Sequence, residues 1–181
     1  MLDQLRQDAT AAGADNIIPM LRAWEDDWSD IPACDIAIAS RSTLVGDLGD
    51  ALEKLHAHAR QRVYLTYLVG GHFFDPEIGA LLDPAPPPLP LQLPLPDHFL
   101  VLGVLHRMGI SPRVDFIETP SRLAGCENFE AFLERLAWTH GPVTGKARQR
   151  LQAWYEANPE RAALGGRPMR WAFMAWSRHG N

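Results

Sequence analysis

Three short polar clusters follow apolar segments, and their residue types are suited to holding a ligand. "RAWEDDW", residues 22–28, sets Trp24 beside Glu25, Asp26 and Asp27; "SRST", residues 40–43, places Ser40 and Arg41 after an apolar run; "GGHFF", residues 70–74, brings His72 with two aromatic rings. A flat indole next to carboxylates suits an adenine ring with its amino group, or a ribose whose hydroxyls donate to the acids. The same residues also read as an acidic solvated turn with Trp24 in the core, and composition alone favours that reading. His72 follows a strand end and is a candidate general base, although an ordinary loop residue is the favoured reading. The seven histidines (56, 58, 72, 98, 106, 140, 179) show no paired-ligand spacing, so no metal is expected. No GxSxG elbow and no P-loop occurs.

A chain of 181 residues is long enough to bury a real core, and a single domain over 1–181 is expected. The net charge of −5 argues against bulk nucleic-acid binding or attraction to an acidic membrane. Charge is nonetheless uneven. Residues 145–181 hold seven bases (Lys146, Arg148, Arg150, Arg161, Arg167, Arg170, Arg178) against Glu156 and Glu160. That tail reads either as a surface for RNA or an anionic substrate or, in the plainer and favoured view, as a solvated helix face. Two cysteines, Cys34 and Cys126, are too few for a disulfide framework, and Cys34 reads as core in a reducing cytoplasm. No apolar run approaches a membrane span and no signal peptide is evident, so a cytoplasmic location is expected. The six tryptophans, notably Trp171 and Trp176, read as core.

Hydrophobic periodicity supplies the elements that must position these residues. Strands are predicted at 17–21 ("IIPML"), 34–40, 62–70, 112–119 and 169–177. Helices are predicted at 1–13, 47–61, 96–109, 127–141 and 144–158, with Asp47 able to cap the second. Strand–helix alternation argues for a mainly parallel α/β sheet whose last strand enters antiparallel. Nearly continuous apolar strands imply a sheet covered on both faces. In such a sheet the ligand crevice lies beyond the carboxyl ends of the strands, where all three polar clusters fall. The stretch 83–97, "DPAPPPLPLQLPLPD", carries seven prolines and is expected to be a stiff loop, with 83–96 a lid or pocket wall. A docking ligand for a proline-binding module is the other reading, but no Arg or Lys in the run would orient it.

"NIIPMLRAWEDDW", then "CDIAIASRS", then "DLGDALEKLHAHARQRVYLTYLVG" resemble the middle of a class I S-adenosylmethionine-dependent methyltransferase. "MGISPRVDFIETP" followed by "MRWAFMAWS" resembles that family's last two strands, the final one inserted antiparallel. The resemblance spans residues 1–178 and implies a Rossmann-like, mainly parallel sheet. It implies S-adenosyl-L-methionine as methyl donor, with Trp24, Glu25 and Asp26 as adenine-side contacts and Ser40 and Arg41 beside the donor. A small-molecule acceptor is implied, although "SRST" is not the Asn-Pro-Pro-Tyr tetrad used for amino acceptors. The family's first strand, GxGxG turn, helix and second strand need roughly 30 residues. Sixteen residues precede "IIPML" here and read as one helix, so the fold is expected to be N-terminally truncated relative to the family. The source would be a longer protein with a misassigned start, or a truncated relative. Strand 34–40 would then be an open apolar edge, and a homodimer formed by edge pairing or by exchange of residues 1–21 is expected to cover it. The alternative function is a non-catalytic dimeric α/β module that has lost the methyl-donor site.

Overall fold

Val63, Leu65 and Tyr67 alternate with Arg62, Tyr64 and Thr66, and this period-two pattern places one strand at the centre of the sheet. The computed structural model describes residues 2–43, 45–70, 75–82 and 97–178. Four strands form one sheet: β1 (Cys34–Ser40), β2 (Ala59–Leu68), β3 (Arg113–Thr119) and β4 (Met169–Ser177), in the order β1-β2-β4-β3. β1 runs parallel to β2, while β4 lies antiparallel between β2 and β3. The fold is therefore Rossmann-like and mixed α/β, with the antiparallel last strand that the sequence predicts.

Among the described residues, seven helices accompany the sheet: α1 (Leu2–Ala11), α2 (Leu48–His58), α3 (Pro76–Leu82), α4 (His98–Arg107), α5 (Phe129–His140), α6 (Gly145–Ala157) and α7 (Pro159–Ala163). The Asp47 carboxylate accepts from the Asp50 N–H, so α2 is capped as its sequence requires. Leu52 and Leu55 of α2 and Val101 and Leu105 of α4 pack on one sheet face against Val63, Leu65, Ala172, Met174 and Trp176. Each fully buried side chain of this kind contributes about 1.5–3 kcal/mol. A second cluster joins Ile78, Phe132, Leu136, Leu151 and Trp154 of α3, α5 and α6.

Several expectations need correction. Residues 17–21 form no strand, and Ile18 and Leu21 are exposed. Pro19 offers no N–H to a ladder, and among the described residues no neighbouring strand is there to pair with it. α1 buries none of its residues, so the Leu2–Leu5–Ala9 stripe meets solvent. β2 starts at Ala59, immediately where α2 ends, and the short helices α3 and α7 were below the length at which periodicity is legible. The sheet face opposite α2 and α4 is covered only in part: Leu68, Met169 and Trp171 are buried there, whereas Ile38 of β1 is 70% exposed and Ile36 and Ile117 are also open to solvent. Cys34, on the same face at the start of β1, is exposed rather than core. Trp171 and Trp176 are buried, but Trp138 on α5 is 82% exposed. His72 and the proline-rich lid 83–96 lie outside the described residues. Among the described residues, no helix is long and apolar enough to cross a membrane.

The basic tail is largely spoken for by contacts within the chain. Arg148 pairs with Glu130, Arg150 donates to the carbonyls of Leu81 and Leu82, and Arg161 joins Asp75 and Glu77. Arg170 lies 4.3 Å from the centre of the Phe116 ring, and Arg178 donates to the carbonyls that end α2. These bases tie helix to helix, β4 to β3, and the end of β4 to the end of α2, so most of them are engaged within the chain.

Candidate functional site

The carboxyl ends of the parallel strands β1 and β2 carry Ser40 and Thr66 side by side, because the register pairs these two residues. Their hydroxyls lie 3.2 Å apart, and the Arg41 N–H donates to Thr66 Oγ1 at 3.1 Å. Arg41 sits in the left-handed region, with φ 58°, and no other described non-glycine residue does so. Such a conformation costs energy and is held only where its surroundings impose it. Here Thr66 fixes the backbone, and Trp171 receives the guanidinium 4.6 Å from its ring centroid. The chain then turns sharply, and Thr43 is buried.

The loop that carries "RAWEDDW" is tied to this turn. The Trp24 indole N–H donates to the Ser42 carbonyl at 2.6 Å, and its ring stacks on Trp28 with centroids 5.0 Å apart. Lys54 of α2 donates its ammonium to the carbonyls of Trp24 and Asp26. The Asp26 carboxylate accepts from the Ala23 N–H, closing a tight turn. Trp24 and Asp26 therefore shape the loop. Glu25 is different: it is exposed, and its carboxylate has no partner among the described residues. Asp27 accepts from the Ser29 hydroxyl and N–H, which hold its carboxyl below the usual range.

A third group meets the end of β2. Asp97 accepts from the Gly70 N–H at 3.2 Å and from the backbone and ring of His98, and so caps α4. Burial pushes the Asp97 carboxyl up, but the hydrogen bonds from His98 and Gly70 outweigh it and hold the group below its ordinary value. Burial, with the Asp97 charge, raises the Tyr67 phenol above its ordinary value.

Sequence-predicted residues Trp24, Asp26, Ser40 and Arg41 are thus brought together beyond the strand ends, with Glu25 on the rim and His72 outside the described residues. Sequence reasoning missed Lys54, Thr66, Trp171 and Asp97. Lys54 looks like an ordinary helix pair with Asp50, which it also is. Thr66 and Trp171 are recruited by strand register, which no local pattern reports. Among the described residues, no cluster of His, Cys, Asp or Glu is arranged to hold a metal ion.

No protein-family model matches the chain. It is 33% identical over 180 residues to an uncharacterized protein of Haemophilus influenzae, and spans 98% of its own length but 64% of that protein. Two solved structures share the architecture at low identity. One is a provisionally assigned sarcosine dimethylglycine methyltransferase from Galdieria sulphuraria: 13% identity, TM-score 0.51, covering 97% of this chain and 65% of that one. The other is the YcgJ protein of Bacillus: 12% identity, TM-score 0.54, covering 98% and 76%. At these identities the likeness is one of fold.

Proposed function

From the class I methyltransferase fold of this chain, we propose an S-adenosyl-L-methionine-dependent methyltransferase function with a small-molecule acceptor. The observation that supports it is the tie between Trp24 and the turn at Ser40–Ser42, which joins two ligand-facing loops at the carboxyl ends of β1 and β2. The residues present fit the nucleoside end of such a donor. Glu25 offers an unspent carboxylate to an amino group or a ribose hydroxyl, on a loop that Lys54 and the Trp24–Trp28 stack hold in place. When bound, the donor supplies an electrophilic methyl on sulfur. The residues after β1 would orient its nucleoside, and positioning of the two reactants would supply most of the rate. No GxGxG turn occurs in the 181 residues, so the methionine end needs a partner surface beyond the residues named here. Titration calorimetry with S-adenosyl-L-methionine tests the reading. Micromolar binding, weakened by Glu25→Gln, is expected; no heat at millimolar ligand would overturn it.

A specific observation favours a second reading, a non-catalytic dimeric module. β1 is a sheet edge among the described residues, and its Ile36 and Ile38 are open to solvent. A second copy paired along this edge would satisfy its open backbone groups and set cross-strand side chains beside both isoleucines. The same titration separates the two readings, because a module without a donor site gives no heat.

A further inference from the structure

A cavity of about 580 Å³ opens at the end of the sheet opposite Ser40 and Arg41, where β2 and β3 begin and β4 finishes. Its wall is basic. Arg62, Arg113 and Arg178 all line it, with the hydroxyl residues Ser111 and Ser177, and no carboxylate is among the described lining residues. That composition stands out in a chain with a net charge of −5.

Register explains the convergence. Arg62 of β2 pairs with Ser177 of β4, and Arg113 of β3 pairs with Ala175 of the same strand. Paired residues share a sheet face, so both arginines stand on one face, on either side of β4. Their Cα atoms are roughly 12 Å apart, two strand spacings across and two residues along β4, and Ala175 and Ser177 between them carry small side chains. The three guanidiniums are not equally engaged. Arg178 is spent on the carbonyls of His56, Ala57 and Ala59 at the end of α2. Arg113 donates to the Asp115 carboxylate through Nε at 2.9 Å and Nη2 at 3.4 Å, which leaves its Nη1 end for a ligand. Arg62 is exposed and has no acidic partner among the described residues.

We propose that this cavity binds a compact, multiply charged phosphate ligand, held between the open Arg62 fork and the outer end of the Arg113 guanidinium, with the serine hydroxyls completing its shell. Two guanidiniums across such a gap match the two ends of a diphosphate better than a single carboxylate. The volume falls within the range of small-molecule sites and exceeds what a diphosphate alone fills, so an organic group can accompany it. The site is separate from the proposed donor site, at the other end of the strands.

The test is calorimetry of the full chain with inorganic pyrophosphate at low ionic strength, where exposed charges are least screened. Saturable one-to-one binding is expected, weakened about tenfold or more by Arg62→Ala and by Arg113→Gln, with unchanged melting in both variants. Sulfate should bind more weakly than pyrophosphate. Equal, non-saturating heats for wild type and both variants would overturn the proposal. So would a short RNA that binds in an Arg62-dependent way while pyrophosphate does not, since the basin would then be a nucleic-acid surface. S-adenosyl-L-methionine titrations should be the same in wild type and Arg62→Ala, so failure here leaves the donor-site reading to its own test.

Discussion

The Arg41 guanidinium lies 4.6 Å from the centroid of the buried Trp171 ring, although Arg41 itself adopts a left-handed backbone. The two facts oppose each other energetically. A positive φ costs a non-glycine residue about 1–2 kcal/mol, while a cation–π contact from an exposed arginine returns about 0.5–1 kcal/mol. Arg41→Ala keeps the strain and loses the contact, so it should destabilise the chain by about 0.5–1 kcal/mol. Arg41→Gly loses both and should restore most of that difference. Urea denaturation of the two variants checks the order; alanine as stable as glycine would mean that the ring contact holds nothing.

Two glycines with similar φ provide a matched pair. Gly165 has φ 67°, and a Cβ added there would stand 2.4 Å from the backbone of Leu123 and Ala124. Gly109 has φ 74°, with nothing within 4 Å of such a Cβ. Gly109→Ala should cost about 1 kcal/mol, the conformational penalty alone. Gly165→Ala must also move backbone that packs under the second core cluster, and should cost about 3 kcal/mol or more. Thermal unfolding of both variants reads the difference directly.

Asp97 and Tyr67 set opposite limits on stability with pH. The Asp97 carboxyl is lowered in the folded chain, so the unfolded chain binds its proton more readily and stability is lost as pH falls. That loss begins as pH drops below about 4, the ordinary aspartate value. The Tyr67 phenol is raised, so its contribution is present at neutral pH and lost as pH rises beyond about 10. Asp97→Asn should flatten the acid side of a melting-temperature profile and Tyr67→Phe the alkaline side. An unchanged acid slope in Asp97→Asn would assign acid unfolding to other carboxylates.

Ile38 is 70% exposed on an edge strand, an arrangement that invites pairing. Sedimentation velocity of the chain at micromolar concentration should show a dimer, and Ile38→Lys should shift it to monomer with little change in melting. A monomeric wild type would leave this edge without a second copy as its partner.

Much of the architecture was legible in the sequence because its signals are local. β1 and β4 fall on their predicted residues, since "CDIAIAS" and "MRWAFMAWS" are compact apolar runs bounded by polar or glycine-containing stretches. The antiparallel insertion of β4 was also foreseen, through the resemblance to methyltransferases and the pair of helices before it. "IIPML" failed because an apolar run becomes a strand only when a neighbour accepts its hydrogen bonds, and periodicity is blind to neighbours.

By itself the sequence determined where the longer helices lie, which residues form most of the strands, and that Trp24, Asp26, Ser40 and Arg41 follow or precede apolar segments. Only tertiary structure decided what those residues do: Trp24 spends its N–H on Ser42, Arg41 lies over Trp171, and Glu25 keeps its carboxylate unengaged. It also decided that Arg62 and Arg113, 51 positions apart in the chain, share one cavity. The reason is register. Strand pairing joins residues remote in sequence, and a slip of one position would send each of these side chains to the other face.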